Sequence, residues 1–208
     1  DPETMINQYG ADAVRWFILS DSPPEKDIQW SAEGVVAANK FLQRIWNLNY
    51  LISVRVDQAP NISKQEEFAS KINQLIIKID SSINDFKFNV TIAYFHQIYK
   101  LFKEYEETKI SNKIFSDNII KVMKLMLPFT PHLASECLDL FNCKTSNLWP
   151  EIDSKNILSD IKLAVQVNGK TRDVISLKED STKDYVDKII REKSKAKKFL
   201  DNKDIDKI

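Results

Sequence analysis

The chain has 208 residues, with 30 basic and 30 acidic side chains and a formal net charge of zero. That length buries one sizeable core and leaves room for a small second domain. A neutral balance excludes a global positive field, so any nucleic-acid binding must come from local patches. Three glycines, Gly10, Gly34 and Gly169, are too few for a large β-rich or glycine-loop enzyme and suit long helices. The two cysteines, Cys137 and Cys143, build neither a disulfide framework nor a four-cysteine zinc site. No run reaches the ~20 apolar residues of a membrane span, and no signal peptide is visible. The sequence opens on a helix cap without an initiator methionine and reads as a fragment.

In chain order, Asp1 caps a first short helix with Pro2 at its preferred first position. Gly10 stops that helix, because glycine tolerates the left-handed backbone a helix end requires. Asp12 follows in the first turn of the next helix, where a carboxylate suits the dipole. Arg15, three residues on, is placed to pair with it. Val14, Phe17 and Ile18 form the apolar stripe, and Pro23-Pro24 ends the helix for want of N–H donors. Ser31 caps a long helix reaching about Val54, with Phe41, Ile45, Leu48 and Ile52 at spacings of four, three and four.

Residues 59–63 read as a turn, after which Ser63 caps a helix with Phe68, Ile72, Leu75, Ile76, Ile79 and Ile83 on one face. Residues 84–88 form a break. The next helix has Ile92, Phe95, Tyr99 and Phe102 in one line and Tyr94, Ile98, Leu101 and Tyr105 beside it. So broad an apolar face predicts a helix packed between neighbours, and the same spacing argues against an exposed base-stacking platform. Ser116 or Asp117 caps a further helix that Pro128 ends. Thr130 then caps a helix to about Phe141 with Pro131 at its first position.

Beyond Pro150 the pattern changes. Residues 153–160 are polar and loop-like. Two strands, 161–167 and 171–177, flank Asn168-Gly169, the pair that favours a type I′ hairpin turn. Ser181 with Asp184 three residues later imitates a capping box and opens a last helix. The expected fold is mainly α: an antiparallel helical bundle followed by a small truncated α/β domain with a β-hairpin.

No catalytic or metal-binding constellation stands out. His132 has no histidine, cysteine or carboxylate at ligand spacing and reads as a first-turn residue that hydrogen-bonds locally. His96 lies among aromatics and reads as packing. Two basic patches point to nucleic acid. Lys40, Arg44 and Asn47 fall at i, i+4 and i+7 on one face of the long helix, suited to phosphate contact. Trp46 beside them either stacks on a base or sits in the core. Lys170 and Arg172 flank the hairpin tip, and Arg191, Lys193, Lys195, Lys197 and Lys198 crowd two helical turns, as a solvated face or an RNA contact.

The run Asp1-Pro2, Ile6, Tyr9 to Ala13, Arg15, Phe17 to Leu19, Pro23-Pro24-Glu25, Asp27, Trp30-Ser31, Gly34-Val35, Phe41-Leu42, Arg44 and Trp46 resembles the segment after the signature lysine loop of class I leucyl-tRNA synthetases of bacterial or organellar type. The stretch PFTPHLASECLDLF resembles the PFxPHxxEE element of the leucyl, isoleucyl, valyl and methionyl enzymes. Here Ser135 replaces the first acid, Glu136 keeps the second, and Leu138 stands where many leucyl enzymes have tryptophan. Trp149-Pro150 resembles the pair closing their bundles. VQVNGK with Arg172 resembles the small C-terminal domain of leucyl enzymes, in which two more strands follow the helix; this sequence stops at Ile208. Lys193-Ser194-Lys195 looks like part of a KMSKS motif but follows the bundle instead of preceding it, and no HIGH-type motif accompanies it.

The resemblance implies three regions: a junction after the catalytic core over residues 1–30, an anticodon-binding helical bundle over 31–150, and an incomplete tRNA-binding domain over 151–208. It implies a parent enzyme that joins leucine to tRNA with ATP and Mg2+, in the cytoplasm and as a monomer. The chain itself would lack the catalytic and editing sites and hold no cofactor. Its partners would be leucine tRNA and the catalytic core of the same polypeptide, with no membrane. It raises Arg15 and Arg44 as tRNA contacts, since in related class I enzymes this region lies along the inner side of the tRNA, and it favours RNA contact for the second patch. The alternatives are the bundle of a valyl, isoleucyl or methionyl enzyme, against which PPExDxxWS and VQVNGK argue, and a helical protein–protein scaffold with no RNA role.

Overall fold

The structure, a computed structural model, describes residues 1–57, 60–146, 148–151, 160–168, 170–178 and 181–199. The chain forms two units, Asp1–Asn156 and Ile157–Ile208.

The first unit is a bundle of seven α-helices among the described residues: α1 Pro2–Tyr9, α2 Ala11–Asp21, α3 Ala32–Ser53, α4 Ile62–Asn84, α5 Phe88–Tyr105, α6 Asn112–Met126 and α7 Pro131–Leu140. Asp1 caps α1 by accepting from the Glu3 N–H at 3.0 Å. Gly10 joins α1 to α2 at φ +85°, and its N–H closes on the Ile6 carbonyl at 2.9 Å. A Cβ there would meet nothing within 4 Å, so backbone conformation, not space, demands the glycine. At Gly34 the reverse holds: a Cβ would collide with the Phe17 ring, so the missing side chain lets α3 close on α2. Ser31 caps α3 through the Gly34 N–H at 3.1 Å.

Two helix starts in this unit differ from the sequence reading. Asn61, not Ser63, caps α4 by accepting from the Lys64 N–H at 3.1 Å, and the Asn61 N–H is itself held by the Lys109 carbonyl at 2.6 Å. Ser111, not Ser116 or Asp117, caps α6. There Asp57 accepts from the Asn112 N–H at 2.6 Å and Gln65 from the Ser111 N–H at 3.3 Å, so groups distant in sequence satisfy the first donors and move the start upstream. Thr130 occupies the cap of α7 but makes no side-chain cap bond. Its place is taken by Asp12, as described below.

The core is rich in aromatic rings. Phe68 packs on Phe102, Tyr105 and Phe115 with centroids 5.0–5.4 Å apart, and Trp16 on Phe41, Phe95 and Phe129. All of these rings are buried, which places the α5 stripe in the core as its spacing predicts. Between α4 and α5, Phe86 takes φ 58° at the break. The Ser82 and Thr91 hydroxyls meet at 2.8 Å in the interior, so neither is left unsatisfied.

The second unit pairs β1 Asp160–Val167 antiparallel with β2 Lys170–Lys178. Asn168 has the positive φ, 53°, that the first residue of a type I′ turn needs; Gly169 lies outside the described residues. Val165 pairs with Asp173 but Gln166 with Thr171, so Arg172 is the extra residue of a β-bulge. Thr182, not Ser181, caps α8 Lys183–Lys193, accepting from the Tyr185 N–H at 3.4 Å. Ser194 is extended, and a 3₁₀ turn, Lys195–Phe199, follows. Val165, Val167, Ile175, Leu177, Val186, Ile190 and Ala196 form the small core.

Candidate nucleic-acid interface

Helical periodicity divides α3 into two faces. Phe41, Leu42, Ile45 and Leu48 are buried, and Lys40, Arg44 and Asn47 lie exposed in a row. Trp46 is half-buried and packs against the core. Arg44 leans on rings of its own unit, with its guanidinium 5.7 Å from the Phe41 centroid and 5.8 Å from that of Tyr99. A cation seated on ring faces loses little further freedom when its N–H edge meets an anion.

Phe41 and Tyr99 join the α3 row to α5. His96 on α5 stacks on Phe41 with centroids 3.8 Å apart, so its ring does pack as the sequence predicts, yet the residue stays exposed at the surface. Burial of the stacked ring, then the nearby Arg44 charge, lowers its pKa, which keeps the imidazole neutral at neutral pH. Gln97, Lys100 and Lys103 continue the exposed face of α5. Lys103 is ion-paired with Glu106.

Arg15 is exposed, but one of its nitrogens donates to the Pro128 carbonyl at 2.7 Å. The expected pairing of Arg15 with Asp12 does not form. Asp12 is buried, and its carboxylate accepts from the Leu133 N–H at 2.7 Å and lies 3.1 Å from Nδ1 of His132. It therefore caps α7, which has no acidic residue in its own first turn. His132 thus bonds across the bundle and not locally. A signal existed in the sequence: Asp12 sits among the apolar positions of α2, where an unpartnered carboxylate would be costly.

In the second unit, Lys170, Arg172, Lys195, Lys197 and Lys198 are exposed and Arg191 is half-buried. The Lys193 side chain lies outside the described residues. Arg191 Nε donates to Asp187 at 2.8 Å. The five basic residues do not crowd two turns of one helix as expected, because Ser194 breaks it after Lys193. The Asp173 carboxylate accepts from the Ser194 hydroxyl and the Lys195 N–H, both at 2.7 Å, and turns the chain into the 3₁₀ segment. The first of these bonds, and then the second, hold the Asp173 carboxyl below its usual range. In the Lys-Ser-Lys run the serine is buried and bonded to Asp173, which leaves its hydroxyl no role toward a nucleotide.

Among the described residues no group of three or more His, Cys, Asp or Glu side chains is arranged to hold a metal, and no helix is long and apolar enough to cross a membrane. Two concavities stand out among the described residues of the first unit. One, of about 350 Å³, is apolar, floored by Ile52, Phe102 and Phe115, with Arg55 over the Phe115 ring at 4.4 Å. The other, of about 360 Å³, runs between α4 and α5 and carries lysines.

Comparison with known proteins places these features in a family. The family described as the anticodon-binding domain of tRNA ligase matches residues 65–190. A leucine–tRNA ligase of Hyphomonas neptunium is 32% identical over 213 residues, covering 100% of this chain and 25% of that protein. One of Thermotoga petrophila is 31% identical over 221 residues, covering 99% of this chain and 27% of that protein. The chain thus spans about a quarter of the length of these curated relatives. A solved ternary complex of Agrobacterium radiobacter K84 agnB2 LeuRS with tRNA and LeuAMS has the same fold, with a TM-score of 0.83 and 23% identity over 100% of this chain and 28% of that one. With its residues 65–190, well over half its length, matched to that family, this chain belongs to the anticodon-binding domains of tRNA ligases.

Proposed function

We propose that the chain is the tRNA-holding portion of a leucine–tRNA ligase, which positions leucine tRNA for ATP- and Mg2+-dependent leucylation by a catalytic core elsewhere in the same polypeptide. The observation that carries this reading is the exposed row Lys40, Arg44 and Asn47 on α3, with Arg44 already oriented by Phe41 and Tyr99. Family membership and the leucine–tRNA ligase relatives support it. In this reading residues 1–30 are the junction to the catalytic core, 31–150 the bundle and 151–208 a small tRNA-binding domain.

The work is positioning and phosphate neutralisation, which needs no catalytic group and no resident cofactor. Lys40 and Arg44 meet phosphates, and Asn47 bonds sugar or phosphate. Lys170, Arg172, Arg191, Lys193, Lys195, Lys197 and Lys198 form the second contact region. Arg15, anchored on Pro128, is the weakest of the contacts. The parent acts as a cytoplasmic monomer.

Binding of leucine tRNA to the 208-residue chain at two salt concentrations tests this reading. The expected result is saturable binding that weakens as salt rises, because phosphate contacts release counterions. A chain with no affinity at either salt is a scaffold without an RNA role. Charge reversal of Arg191, Lys195 and Lys198 together is expected to weaken binding while leaving the helical melting profile of the bundle unchanged; unaltered affinity removes that patch from the interface.

A further inference from the structure

We propose that the groove between α4 and α5 is a second seat for an RNA phosphodiester backbone, continuing the α3 row around the bundle. This rests on the reading that the chain holds a tRNA. The link is α5. His96 packs on Phe41 beside Arg44, and Lys100, one turn further along the same helix face, lines the groove. Tyr99, between them in sequence, seats Arg44.

The lining has the chemistry of a sugar–phosphate chain. Lys71, Lys78 and Lys100 face one carboxylate, Glu104. Lys71 is occupied within the protein. Its ammonium donates to Glu67 at 2.8 Å and to the Tyr105 hydroxyl at 2.9 Å, and lies 3.8 Å from Glu104. It thereby offsets the carboxylate that would otherwise repel a polyanion. Lys78 and Lys100 are exposed and form no ion pair among the described residues, so their charge is uncompensated. Leu75 and Leu101 give the groove an apolar surface suited to a ribose, and Gln97 supplies an amide of the kind that bonds sugar and phosphate oxygens. A volume of about 360 Å³ accommodates such a unit. Two uncompensated ammonium groups flanking apolar and amide surface match two phosphates flanking a sugar.

The test uses the 208-residue chain and a leucine tRNA transcript, with affinity measured across a salt series. Lys78→Gln/Lys100→Gln is expected to lose roughly tenfold in affinity and to flatten the dependence of log affinity on log salt by about two. Lys78→Arg/Lys100→Arg is expected to keep both near wild type, because charge and not packing is what the site supplies. Lys113→Gln, an exposed lysine of α6 paired with Asp117, is expected to change neither. If the Gln pair binds with wild-type affinity and slope while variants of Lys40 and Arg44 weaken, the groove is overturned and the tRNA-holding reading stands. If the Arg pair falls as far as the Gln pair, the groove is overturned as a phosphate seat. If the wild-type chain binds no tRNA at any salt, both readings fall.

Discussion

The two units of this chain reach their folds by different means. The helical unit is held by volume: long amphipathic helices interlock Phe41, Phe68, Phe95, Phe102, Phe115 and Phe129, each nearly or wholly removed from solvent. Among the described residues the hairpin unit has a core of seven aliphatic side chains, and it depends on one hydrogen-bonding carboxylate. There the Asp173 carboxylate collects the Ser194 hydroxyl and the Lys195 N–H and so directs the basic 3₁₀ segment. Even inside the bundle one carboxylate matters in this way, since Asp12 fastens α2 to the start of α7. The difference teaches that the large unit rests on its buried rings, whereas the small one directs its 3₁₀ lysines through a half-buried hydrogen-bond acceptor, Asp173.

The sharpest way to break this contrast is to hollow the bundle. Phe68→Ala is expected to cost about 3–5 kcal/mol, read by urea unfolding, because the ring touches three others that cannot collapse into its space. A loss under 1 kcal/mol would mean that the aromatic cluster is not what holds the unit.

Next in size, Asp12→Ala is expected to cost about 1–3 kcal/mol, because it strips the Leu133 N–H of its partner at the start of α7. Hydrogen exchange should show the loosening concentrated at the first turn of α7, and Asp12→Asn should lose less.

A smaller effect distinguishes the hairpin unit by its pH dependence. The folded unit holds the Asp173 carboxyl below its usual range, so the unfolded chain binds a proton more readily. The stabilisation is therefore complete above the unfolded carboxylate pKa of about 3.9 and is lost as pH falls through the folded value. Amide signals of Lys195 and Ala196 should report that loosening on acidification. In Asp173→Asn they should look loosened at neutral pH and respond little to acid.

The smallest effect is chemical and leaves stability untouched. Cys137 is wholly buried, and that burial, with a lesser contribution from Glu136, pushes its thiol up to about 12. Cys143 is half-buried. A thiol reagent at pH 8 is expected to label Cys143 first and Cys137 only on unfolding, as mass mapping of the labelled peptides would show.

Much of this architecture could be read from residue spacing. The caps at Asp1 and Ser31, the stop at Pro23-Pro24, the stripe of α5 and the positive φ at Asn168 all follow from local rules. The exposed row on α3 did too, because a period of 3.6 separates Lys40, Arg44 and Asn47 from Phe41, Ile45 and Leu48. What local reasoning missed depends on partners distant in sequence. Lys109 fixes Asn61, Asp57 and Gln65 move the start of α6, and Asp12 serves a helix some 120 residues away. The break at Ser194 escaped for the same reason, since Asp173 on the hairpin makes it. The α4–α5 groove was invisible because Lys78 and Lys100 come to line one concavity only when two helices pack.

The central claim is that the exposed row of α3 meets RNA, and the most direct measurement is leucine tRNA affinity of Lys40→Glu/Arg44→Glu against wild type in the same buffer. The account predicts a fall of at least tenfold that narrows as salt rises, with an unchanged melting profile. Equal affinity of the two proteins at low salt, where charge contacts count most, would contradict it.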